Sequence, residues 1–347
     1  MKKVRFGVVG TNNITDWVIA GGRQDERFEV TAVCSRTQER ADEFAAKHLI
    51  PHTFTSLEEM AASDKVDAIY IATPNSSHCE QALTCMSHGK HVLCEKPMAS
   101  NAWEVRKMID CAMNKGVTLM EAMISTLNPN FIKVKENLGR LGKIRRYFAS
   151  YCQYSSRYDK FKEGTILNAF NPELSNAAVM DIGIYTIYPM VALFGMPDDI
   201  QAQGVMLGNG FEAQGAVNFF YKDLDMNATV LYSKIANSFL PSEIEGEGGT
   251  ILVDHIHIAG NVDFIPRIPT GQGKSQKAVR EALGSPLEKS PYYYEIKEFI
   301  DLVLSGKHSS SMNSWDTTLD TIRVIDEIRR QLGVQFQTDS YYLIDKV

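Results

Sequence analysis

The chain has 347 residues, which is too long for one ordinary hydrophobic core, so two domains are the starting expectation. Apolar residues make up 44% of the chain and charged residues 22%, which excludes disordered, collagen-like and coiled-coil classes. The formal net charge of -6 argues against nucleic acid or an anionic membrane surface as the main partner, because both require a concentrated basic face.

The N-terminal stretch MKKVRFGVVG enters a strand-like pattern without the long apolar region of a secretory signal, and no apolar run reaches membrane-spanning length. The six cysteines form no CxxC pair and lie mostly in apolar stretches, which is typical of buried free thiols in a reducing compartment. We therefore expect a cytoplasmic protein without a membrane partner.

The first third of the chain alternates strand-like and helix-like segments. Short apolar runs rich in β-branched residues predict strands at VRFGVV, FEVTAVC, DAIYIAT, HVLC and VTLM. Helical periodicity is present in TQERADEFAAKH and NAWEVRKMIDCAMNKG. Apolar residues fill both faces of DAIYIA, as expected for a central parallel strand with helices on each side. Residues 1–122 are predicted to form a doubly wound α/β domain, the Rossmann arrangement that binds dinucleotides.

After about Met123 the pattern changes to longer, often alternating strands joined by turn residues, as in an antiparallel sheet. Strands are predicted at IRRYFASYCQY, GAVNFFYKD, MNATVLYSK, EIEGEGGTILVD and HIHIAG. Helices are predicted at NAAVMDIGIYTIYPMVALFG, YYYEIKEFIDLVLSG and SWDTTLDTIRVIDEIRRQLG. Residues 123–347 are therefore predicted to form an α+β domain on an open, mostly antiparallel sheet, which binds substrate and forms oligomers.

The segment GVVGTNNIT, Gly7 to Thr15, follows the first predicted strand and opens a helix, which is the context of a dinucleotide-binding fingerprint. Against the pattern G-x-G-x-x-G only Gly10 matches, and Asn12 and Thr15 occupy the other glycine positions. We expect Asn12 to permit the tight turn, because asparagine tolerates left-handed backbone better than other non-glycine residues. The alternative is an ordinary turn from strand to helix.

The second predicted strand ends at Ser35 and Arg36, about 20 residues further on, where an NAD-binding fold usually carries Asp or Glu for the ribose 2′-hydroxyl. A hydroxyl and a guanidinium suit a 2′-phosphate instead, because arginine is permanently charged and forms forked hydrogen bonds to phosphate. Arg40, one helical turn later, provides a second such charge. The sequence therefore predicts NADP(H), with NAD possible as a second cofactor; the alternative is a solvated arginine.

Two further predicted strands end at the carboxyl edge of the sheet, where ligands bind in this architecture. DAIYIAT leads into PNSSH, and HVLC leads into Glu95-Lys96-Pro97. Pro97 holds Lys96 in extended geometry, so the lysine is directed over the crevice toward the nicotinamide. The predicted cofactor-binding residues are Gly10, Thr11, Asn12, Asn13, Ile14, Ser35, Arg36, Arg40, Thr73, Pro74, Asn75, His78, Glu95, Lys96 and Pro97.

The second domain contains the short segment MDIGIY, Met180 to Tyr185. If it is helical, Asp181 and Tyr185 lie at i and i+4 and point the same way, while Gly183 leaves room for close approach of a neighbour. The alternative is an aspartate near a helix N-terminus and an ordinary half-buried tyrosine.

Two other patterns are not read as sites. GQGKS, which begins at Gly271, lacks the leading glycine of a P-loop, because Ile268 occupies that position. His255 and His257 alternate on a predicted strand without nearby cysteines or clustered carboxylates, so no metal site is predicted.

The motifs EKP, ATPNSSH and DIGIY, with the block GKHVLCEKP, resemble the Gfo/Idh/MocA family of NAD(P)-dependent oxidoreductases over nearly the whole chain. The tyrosine of DIGIY and the segment LMEA are most similar to the branch that contains dimeric dihydrodiol dehydrogenases and glucose-fructose oxidoreductase. The resemblance implies that Lys96 is catalytic, often with a cis bond to Pro97, and that Asp181 and Tyr185 are the catalytic pair. Thr126 is a departure, since many relatives in this branch carry an arginine there, near the substrate.

The resemblance implies reversible hydride transfer between nicotinamide C4 and a secondary alcohol or carbonyl of a sugar, polyol, cyclic diol or dicarbonyl. Tyr185 is the expected general acid/base, with its pKa lowered by Lys96, and Asp181 holds a substrate hydroxyl or orients the pair. The rival hypothesis is a catalytically weak NADP(H)-sensing regulatory protein of the same fold. Consecutive aromatic residues in GAVNFFYKD also predict a homodimer, or a dimer of dimers, joined through the second-domain sheets.

Overall fold

The computed structural model describes residues 2–268 and 279–340, and six strands within that range form a parallel sheet. The strands are β1 Val4–Val9, β2 Phe28–Cys34, β3 His52–Phe54, β4 Ala68–Ile71, β5 His91–Glu95 and β6 Leu119–Ala122. Their order is β3-β2-β1-β4-β5-β6, so the chain winds outward from β1 in both directions. This is the doubly wound order of a dinucleotide-binding fold, which the sequence predicts.

Helices connect these strands and cover both faces of the sheet. They are α1 Asn13–Gly22, α2 Gln38–His48, α3 Leu57–Ala62, α4 His78–Ser87 and α5 Ala102–Lys115. Successive residues of β4 enter different cores: Ile69 and Ile71 pack in one core, and Ala68 and Tyr70 pack in the other. The interpretation of DAIYIA as a central parallel strand is therefore confirmed.

Polar caps define the starts of the two helices that the sequence predicts in this domain. Thr37 accepts a hydrogen bond from the backbone N–H of Arg40 at the start of α2, and Asn101 accepts one from Glu104 at the start of α5. These bonds satisfy N–H groups that have no partner inside the helix. Both helices lie within the predicted segments.

Eight strands in the described part of the chain form the second sheet. They are β7 Ile144–Cys152, β8 Asp199–Met206, β9 Glu212–Tyr221, β10 Met226–Ser233, β11 Ser242–Gly246, β12 Gly249–Val253, β13 Val262–Pro266 and β14 Glu281–Ala282. Their order is β14-β13-β12-β11-β7-β10-β9-β8, and every neighbouring pair is antiparallel except β7 and β10. The predicted open, mostly antiparallel sheet is confirmed.

The helices after the first sheet do not alternate regularly with the strands. They are α6 Ile124–Leu127, α7 Pro129–Asn137, α8 Tyr158–Lys162, α9 Ile184–Phe194, α10 Pro291–Ser305 and α11 Trp315–Leu332. α10 returns to the first domain, where Ile296, Phe299 and Ile300 pack in the same core as Phe6. The division at residues 122 and 123 stays a prediction, and α10 covers the first sheet although it follows the second in sequence.

Two predicted strands are corrected: EIEGEGGTILVD is divided into the antiparallel strands β11 and β12, and HIHIAG is not a strand. HIHIAG, His255 to Gly260, forms a turn that connects β12 to β13. The backbone N–H of Asp254 donates to the carbonyl of Asn261 across this turn, and Ala259 has a positive φ of 42° that no strand allows. The alternation of histidine and isoleucine arises because the turn buries Ile256 beneath it, not because a ladder continues.

Some predictions fall outside what the structure describes. GQGKS, residues 271–275, lies outside the described residues, so the exclusion of a P-loop there stays a prediction. Among the described helices, none is long and apolar enough to span a membrane.

Candidate functional site

The turn between β1 and α1 depends on one glycine. Gly10 has a φ of +99°, and a Cβ added to it would lie 2.3 Å from the carbonyl oxygen of Ala72. An L-residue at this position would therefore be strained and would collide with the neighbouring strand end. Gly10 therefore lets the turn pack directly against the end of β4, although two glycines of the fingerprint are missing.

Asn12 supports this turn differently from the prediction. Its backbone is extended (φ −117°), so the expected left-handed conformation is wrong. Its side chain caps α1: Oδ1 accepts from the N–H groups of Ile14 (2.9 Å) and Thr15 (3.2 Å), while Nδ2 donates to the carbonyl of Ala72 (2.7 Å). Hydrogen bonds from a side chain thus hold the turn that glycines usually permit.

Thr15 occupies the last glycine position of the fingerprint. Its hydroxyl donates to the carbonyl of Gly10 (2.7 Å), and the residue is fully buried. Thr11, Asn12 and Asn13 remain at least partly exposed at the N-terminus of α1. The residues predicted to contact a pyrophosphate therefore lie together at a helix N-terminus, where anions are favoured.

The predicted 2′-phosphate residues follow β2. The backbone N–H of Ser35 donates to the carbonyl of Phe54, which fixes the strand end, and Arg36 and Arg40 are exposed. Within residues 2–268 and 279–340, neither guanidinium group forms a hydrogen bond or ion pair. Two arginine forks are thus available beside the end of the strand that carries ribose recognition in this fold.

The segment after β4 contacts both domains. Thr73 donates its hydroxyl to Gln81 (2.7 Å), and Pro74 leads into a 3₁₀ turn that begins at Asn75. The Asn75 side-chain amide donates to the carbonyl of Ser175 (2.9 Å), which belongs to the second half of the chain. This bond joins the segment after β4 to the segment that precedes the π-helix of the second domain.

His78, another predicted cofactor residue, is enclosed by two backbone carbonyl groups. Its ring is buried, with Nδ1 3.0 Å from the carbonyl oxygen of Pro97 and Nε2 2.9 Å from that of Thr73. Burial lowers the pKa of His78. The ring therefore lies between the loop after β4 and the Lys96–Pro97 segment, and its predicted contact with the cofactor stays a prediction.

The residues Lys96, Asp181 and Tyr185 come together between the two domains. The Lys96–Pro97 peptide bond is cis. Lys96 Nζ donates to the main-chain oxygen of Asp181 (2.7 Å) and to its Oδ1 (3.1 Å). The same nitrogen lies 4.8 Å from the centroid of the Tyr185 ring. Asp181 and Tyr185 follow Lys96 by 85 and 89 positions in the sequence, but the fold places the three side chains next to one another.

The segment that carries Asp181 is a π-helix, Val179–Gly183, followed directly by α9. It differs from the predicted α-helix, although Asp181 and Tyr185 still face Lys96 together. The backbone N–H of Val179 donates to the buried carboxyl group of Glu212 (2.9 Å) at the start of this turn. A π-turn within a helix is rare and is frequently found at functional sites.

Gly183 has the packing role that the sequence predicts. A Cβ at this position would lie 3.1 Å from the ring of Tyr232, which is tighter than an ordinary contact, so the glycine favours close packing of the π-helix against β10. Thr126, by contrast, is buried, and its hydroxyl lies 2.5 Å from Asn313 Oδ1. The hydroxyl of Thr126 is therefore engaged inside the protein.

A second lysine at the site was missed by sequence reasoning. Lys234 follows β10, and only 3% of its side chain is exposed. Its Nζ donates to Asp181 Oδ2 (2.5 Å) and to the carbonyl of Ala169 (2.6 Å). The signal was present in MNATVLYSK, an apolar strand that ends on a lysine, but nothing in the sequence shows that this strand end faces Asp181.

The charges around Asp181 determine its ionisation. Burial alone would raise the pKa of Asp181, but Lys234 and Lys96 outweigh burial and hold the pKa well below its usual range. Burial lowers the pKa of Lys96, but the charges of Asp181 and Glu95 raise it by more, so this pKa is raised overall. Although Asp181 lies deep between the domains, 35% of its side chain is exposed, because the crevice is open to solvent. At neutral pH the pair is therefore ionised and accessible.

The direction predicted for the pKa of Tyr185 is wrong. Burial, followed by the charge of Glu95, raises this pKa well above the ordinary value of tyrosine. The expected lowering fails because the ammonium group of Lys96 lies over the face of the ring and is hydrogen-bonded to Asp181. Tyr185 is consequently a neutral phenol at neutral pH and can donate a proton.

The aromatic rings of Tyr151 and His257 lie beside Tyr185. The His257 ring stacks on Tyr151 (4.4 Å between centroids, 7° between planes), and both rings meet Tyr185 edge-on. Burial, together with the charge of His255, lowers the pKa of His257 to about 4, so its ring is neutral. Among the described residues, the buried Nδ1 of His257 has no hydrogen-bond partner.

Comparison with known proteins defines the class. Residues 4–123 match the family model described as the oxidoreductase family with NAD-binding Rossmann fold, and residues 133–252 match the GFO/IDH/MocA C-terminal domain. The chain therefore belongs to the GFO/IDH/MocA family of oxidoreductases. The predictions of this family, of the two-domain fold class and of a nicotinamide-dependent oxidoreductase are confirmed.

Several relatives match along the whole chain. The scyllo-inositol 2-dehydrogenase (NADP(+)) IolU of Bacillus subtilis is 47% identical, with 97% of this chain and 99% of that protein covered. A trans-1,2-dihydrobenzene-1,2-diol dehydrogenase of Danio rerio is 30% identical, with the same coverage. In fold, the chain is similar to an aldose-aldose oxidoreductase from Caulobacter crescentus (TM-score 0.82, 20% identity), with 95% of this chain and 97% of that chain covered.

Proposed function

We propose that the protein is an NADP(H)-dependent dehydrogenase that interconverts a CH–OH group of a cyclic polyol, of the inositol class, and the corresponding ketone. The observation that carries the proposal is the convergence of Lys96, Asp181 and Tyr185 at the carboxyl edge of the first sheet. The substrate class is supported by the 47% identity to scyllo-inositol 2-dehydrogenase over almost the full length of both chains.

The cofactor site of the proposal is formed by the first domain. The Gly10 turn and the N-terminus of α1 receive the pyrophosphate, because unpaired backbone N–H groups at a helix N-terminus favour anions. Arg36 and Arg40, with the Ser35 hydroxyl, receive the 2′-phosphate. The remaining predicted contacts, at or just after the ends of β4 and β5, are Thr73, Pro74, Asn75, Glu95 and Pro97. The bound nicotinamide supplies or accepts the hydride at C4.

Lys96 and Tyr185 act on the oxygen of the substrate. Both side chains are protonated at neutral pH, because both pKa values are raised. In carbonyl reduction, each donates a hydrogen bond to the carbonyl oxygen, and Tyr185 then transfers its proton to that oxygen as negative charge develops. In alcohol oxidation, the proton moves in the opposite direction, so Tyr185 must first lose its proton.

Polyol recognition follows from the groups around this centre. Asp181 accepts hydrogen bonds from two lysines and retains free lone pairs for substrate hydroxyl groups. The neutral ring of His257 stacks on Tyr151, and the two rings provide an aromatic surface beside Tyr185. A ring that bears several hydroxyl groups matches acceptors on one side and aromatic faces on the other.

A substrate panel tests this function. NADP⁺ and NAD⁺ would each be assayed with scyllo-inositol, other inositols, D-xylose and benzene dihydrodiol, by following the absorbance of the reduced nicotinamide. We expect the highest kcat/KM with an inositol and NADP⁺. If a sugar or a dihydrodiol is preferred, the polyol assignment is wrong; if no compound is oxidised while NADPH still binds, the NADP(H)-sensing alternative is favoured.

We further propose a homodimer, or an assembly of dimers, joined through the open face of the second sheet. Strand register places Phe148, Leu231 and Phe220 on this face, and Phe220 is 40% exposed in the single chain. The neighbouring residues Phe219 and Tyr221 point into the core instead. A sedimentation experiment at micromolar concentration should show a species larger than 38.8 kDa, and the monomer alone would contradict the proposal.

A cytoplasmic location is also part of the proposal. It is supported by the six free cysteines, four of which are buried. Free thiols of this kind are typical of proteins in a reducing compartment.

A further inference from the structure

Lys234 is a buried cation whose partners come from three separate segments. Besides its bonds to Asp181 and Ala169, its Nζ lies 4.9 Å from the ring centroid of Phe170 and 5.3 Å from that of Phe211. Removing an ammonium group from water is expensive unless such contacts compensate for the lost hydration. The fold therefore provides a dedicated binding site for a positive charge directly behind Asp181.

Asp181 binds the two lysines through different atoms. Lys96 uses two of its three N–H donors on the main-chain oxygen and Oδ1, which leaves one donor for a substrate oxygen. Lys234 occupies Oδ2. If Lys234 were absent, the carboxylate would face Lys96 alone and would cancel most of the positive charge that Lys96 offers to the substrate.

Glu95 is another carboxyl group close to Lys96, and both of its oxygens accept hydrogen bonds within the first domain. Its Oε1 accepts from the Tyr70 hydroxyl (2.6 Å), and its Oε2 accepts from the backbone N–H of Lys96 (3.2 Å). Burial raises the pKa of Glu95. Whatever charge Glu95 carries, the removal of Lys234 lowers the positive charge around Asp181 by one.

We propose that Lys234 is a positioning residue that offsets the charge of Asp181 and thereby leaves the charge of Lys96 available to the reacting oxygen. The inference rests on the proposed function, in which Lys96 binds that oxygen. Asp181 can then hold Lys96 in place through Oδ1 without neutralising it. The reaction centre acquires a fixed ammonium group that stabilises developing negative charge, and Lys234 does this without contact to the substrate.

The first test removes the charge. Lys234→Met should lower kcat on the order of 100-fold with the best substrate of the panel, because an electrostatic contribution to the oxyanion is lost. The dissociation constant for NADPH should stay the same, since the first domain is unaltered. Lys222→Met is the matched control, because Lys222 is an exposed lysine in the turn between β9 and β10. Lys234→Arg should retain most of the activity.

The second test restores the charge balance. Asp181→Asn combined with Lys234→Met again leaves Lys96 without an opposing carboxylate, while the amide oxygen of the asparagine can still accept its hydrogen bond. The double variant should therefore recover about 10-fold in kcat over Lys234→Met alone, which is the non-additivity expected of coupled residues. If Lys234 had only a structural role, the double variant would be no better than the worse single variant. That result would overturn the proposal.

The third test does not depend on turnover. Acetate would be titrated into the complex of the protein with NADP⁺, because a carboxylate resembles the negative oxygen of the reaction. Lys234→Met should weaken acetate binding about 10-fold, and the double variant should restore it. If acetate binds the wild type no more tightly than it binds Lys234→Met, the proposal is wrong. If no CH–OH compound is turned over but acetate shows this pattern, the charge role stands and only the proposed function fails.

Discussion

The two walls of the crevice are constructed in different ways. The cofactor wall consists of short segments that each follow a strand of the first sheet, such as the Gly10 turn and the Lys96–Pro97 pair. The substrate wall combines Tyr151 at the end of β7, Lys234 after β10 and His257 in the β12–β13 turn. The cofactor wall is therefore defined by local sequence, whereas the substrate wall exists only after distant strands have paired.

The largest expected effect tests whether the walls act as one catalytic unit. Lys96→Met and Tyr185→Phe should each reduce turnover by on the order of 10²–10⁴, because each removes a proton-donating group from the substrate oxygen. Together they should be little worse than the poorer single variant. NADPH binding should largely survive in Tyr185→Phe. Single-turnover rates with bound NADPH decide the matter, and a hydride transfer rate near that of the wild type in either variant would refute this mechanism.

A change confined to the cofactor wall should affect binding instead of chemistry. Gly10→Ala places a Cβ 2.3 Å from the Ala72 oxygen and strains the backbone, so NADPH affinity should fall at least about 100-fold. Gly89→Ala is the matched control: its φ is also positive (+72°), but nothing lies within 4 Å of the added atom. Fluorescence titration measures the NADPH affinity of both variants. Equal losses of affinity in the two variants would show that backbone strain, not the collision with Ala72, causes the loss.

Cofactor preference should depend on the arginines after β2. A charge-assisted hydrogen bond contributes about 1.5–3 kcal/mol, so Arg36→Ala should weaken NADPH binding by roughly 10–150-fold. NADH binding should hardly change. Arg106→Ala, which removes an exposed arginine from α5, should affect neither cofactor. Calorimetric titration would show the difference, and a wild type that binds NADH as tightly as NADPH would disprove the assignment.

The smallest effect concerns pH. The donors Lys96 and Tyr185 have raised pKa values, so both remain protonated through neutral pH and lose their protons only above the ordinary range of lysine and tyrosine. The kcat of carbonyl reduction should therefore be almost constant around neutrality and decline only in strongly alkaline solution. Alcohol oxidation should accelerate as the pH rises, because its proton acceptor is the deprotonated form. A reduction rate that falls between pH 6 and 8 would contradict the assigned donors.

Sequence reasoning recovered most of the first domain because its strands are buried on both faces and produce dense runs of β-branched residues. The three-residue strand β3 was missed because it is too short to show a pattern. β8 was missed because most of its residues are exposed at the edge of the sheet. HIHIAG was misassigned because a turn that buries one isoleucine imitates the alternation of a strand.

The site shows the same division. Lys96, Asp181 and Tyr185 could be predicted as site residues because each lies in a short motif, and the structure brings the three together. Lys234 and Tyr151 could not be predicted as site residues. Many strands end in a polar residue, and only the order of the strands in the sheet shows which of these ends face the site. The pKa direction of Tyr185 was also out of reach, since it depends on burial and on the distance to charges from other segments.

The return of α10 to the first domain has a consequence for how the protein folds. The rings of Phe6 and Phe299 lie 5.7 Å apart, so residues from the two ends of the chain share one core. During synthesis the first domain cannot complete that core until the ribosome has passed residue 305, where α10 ends. A fragment of residues 1–122 alone should expose the apolar surface that α10 covers and should aggregate, whereas addition of a peptide with residues 291–305 should improve its solubility.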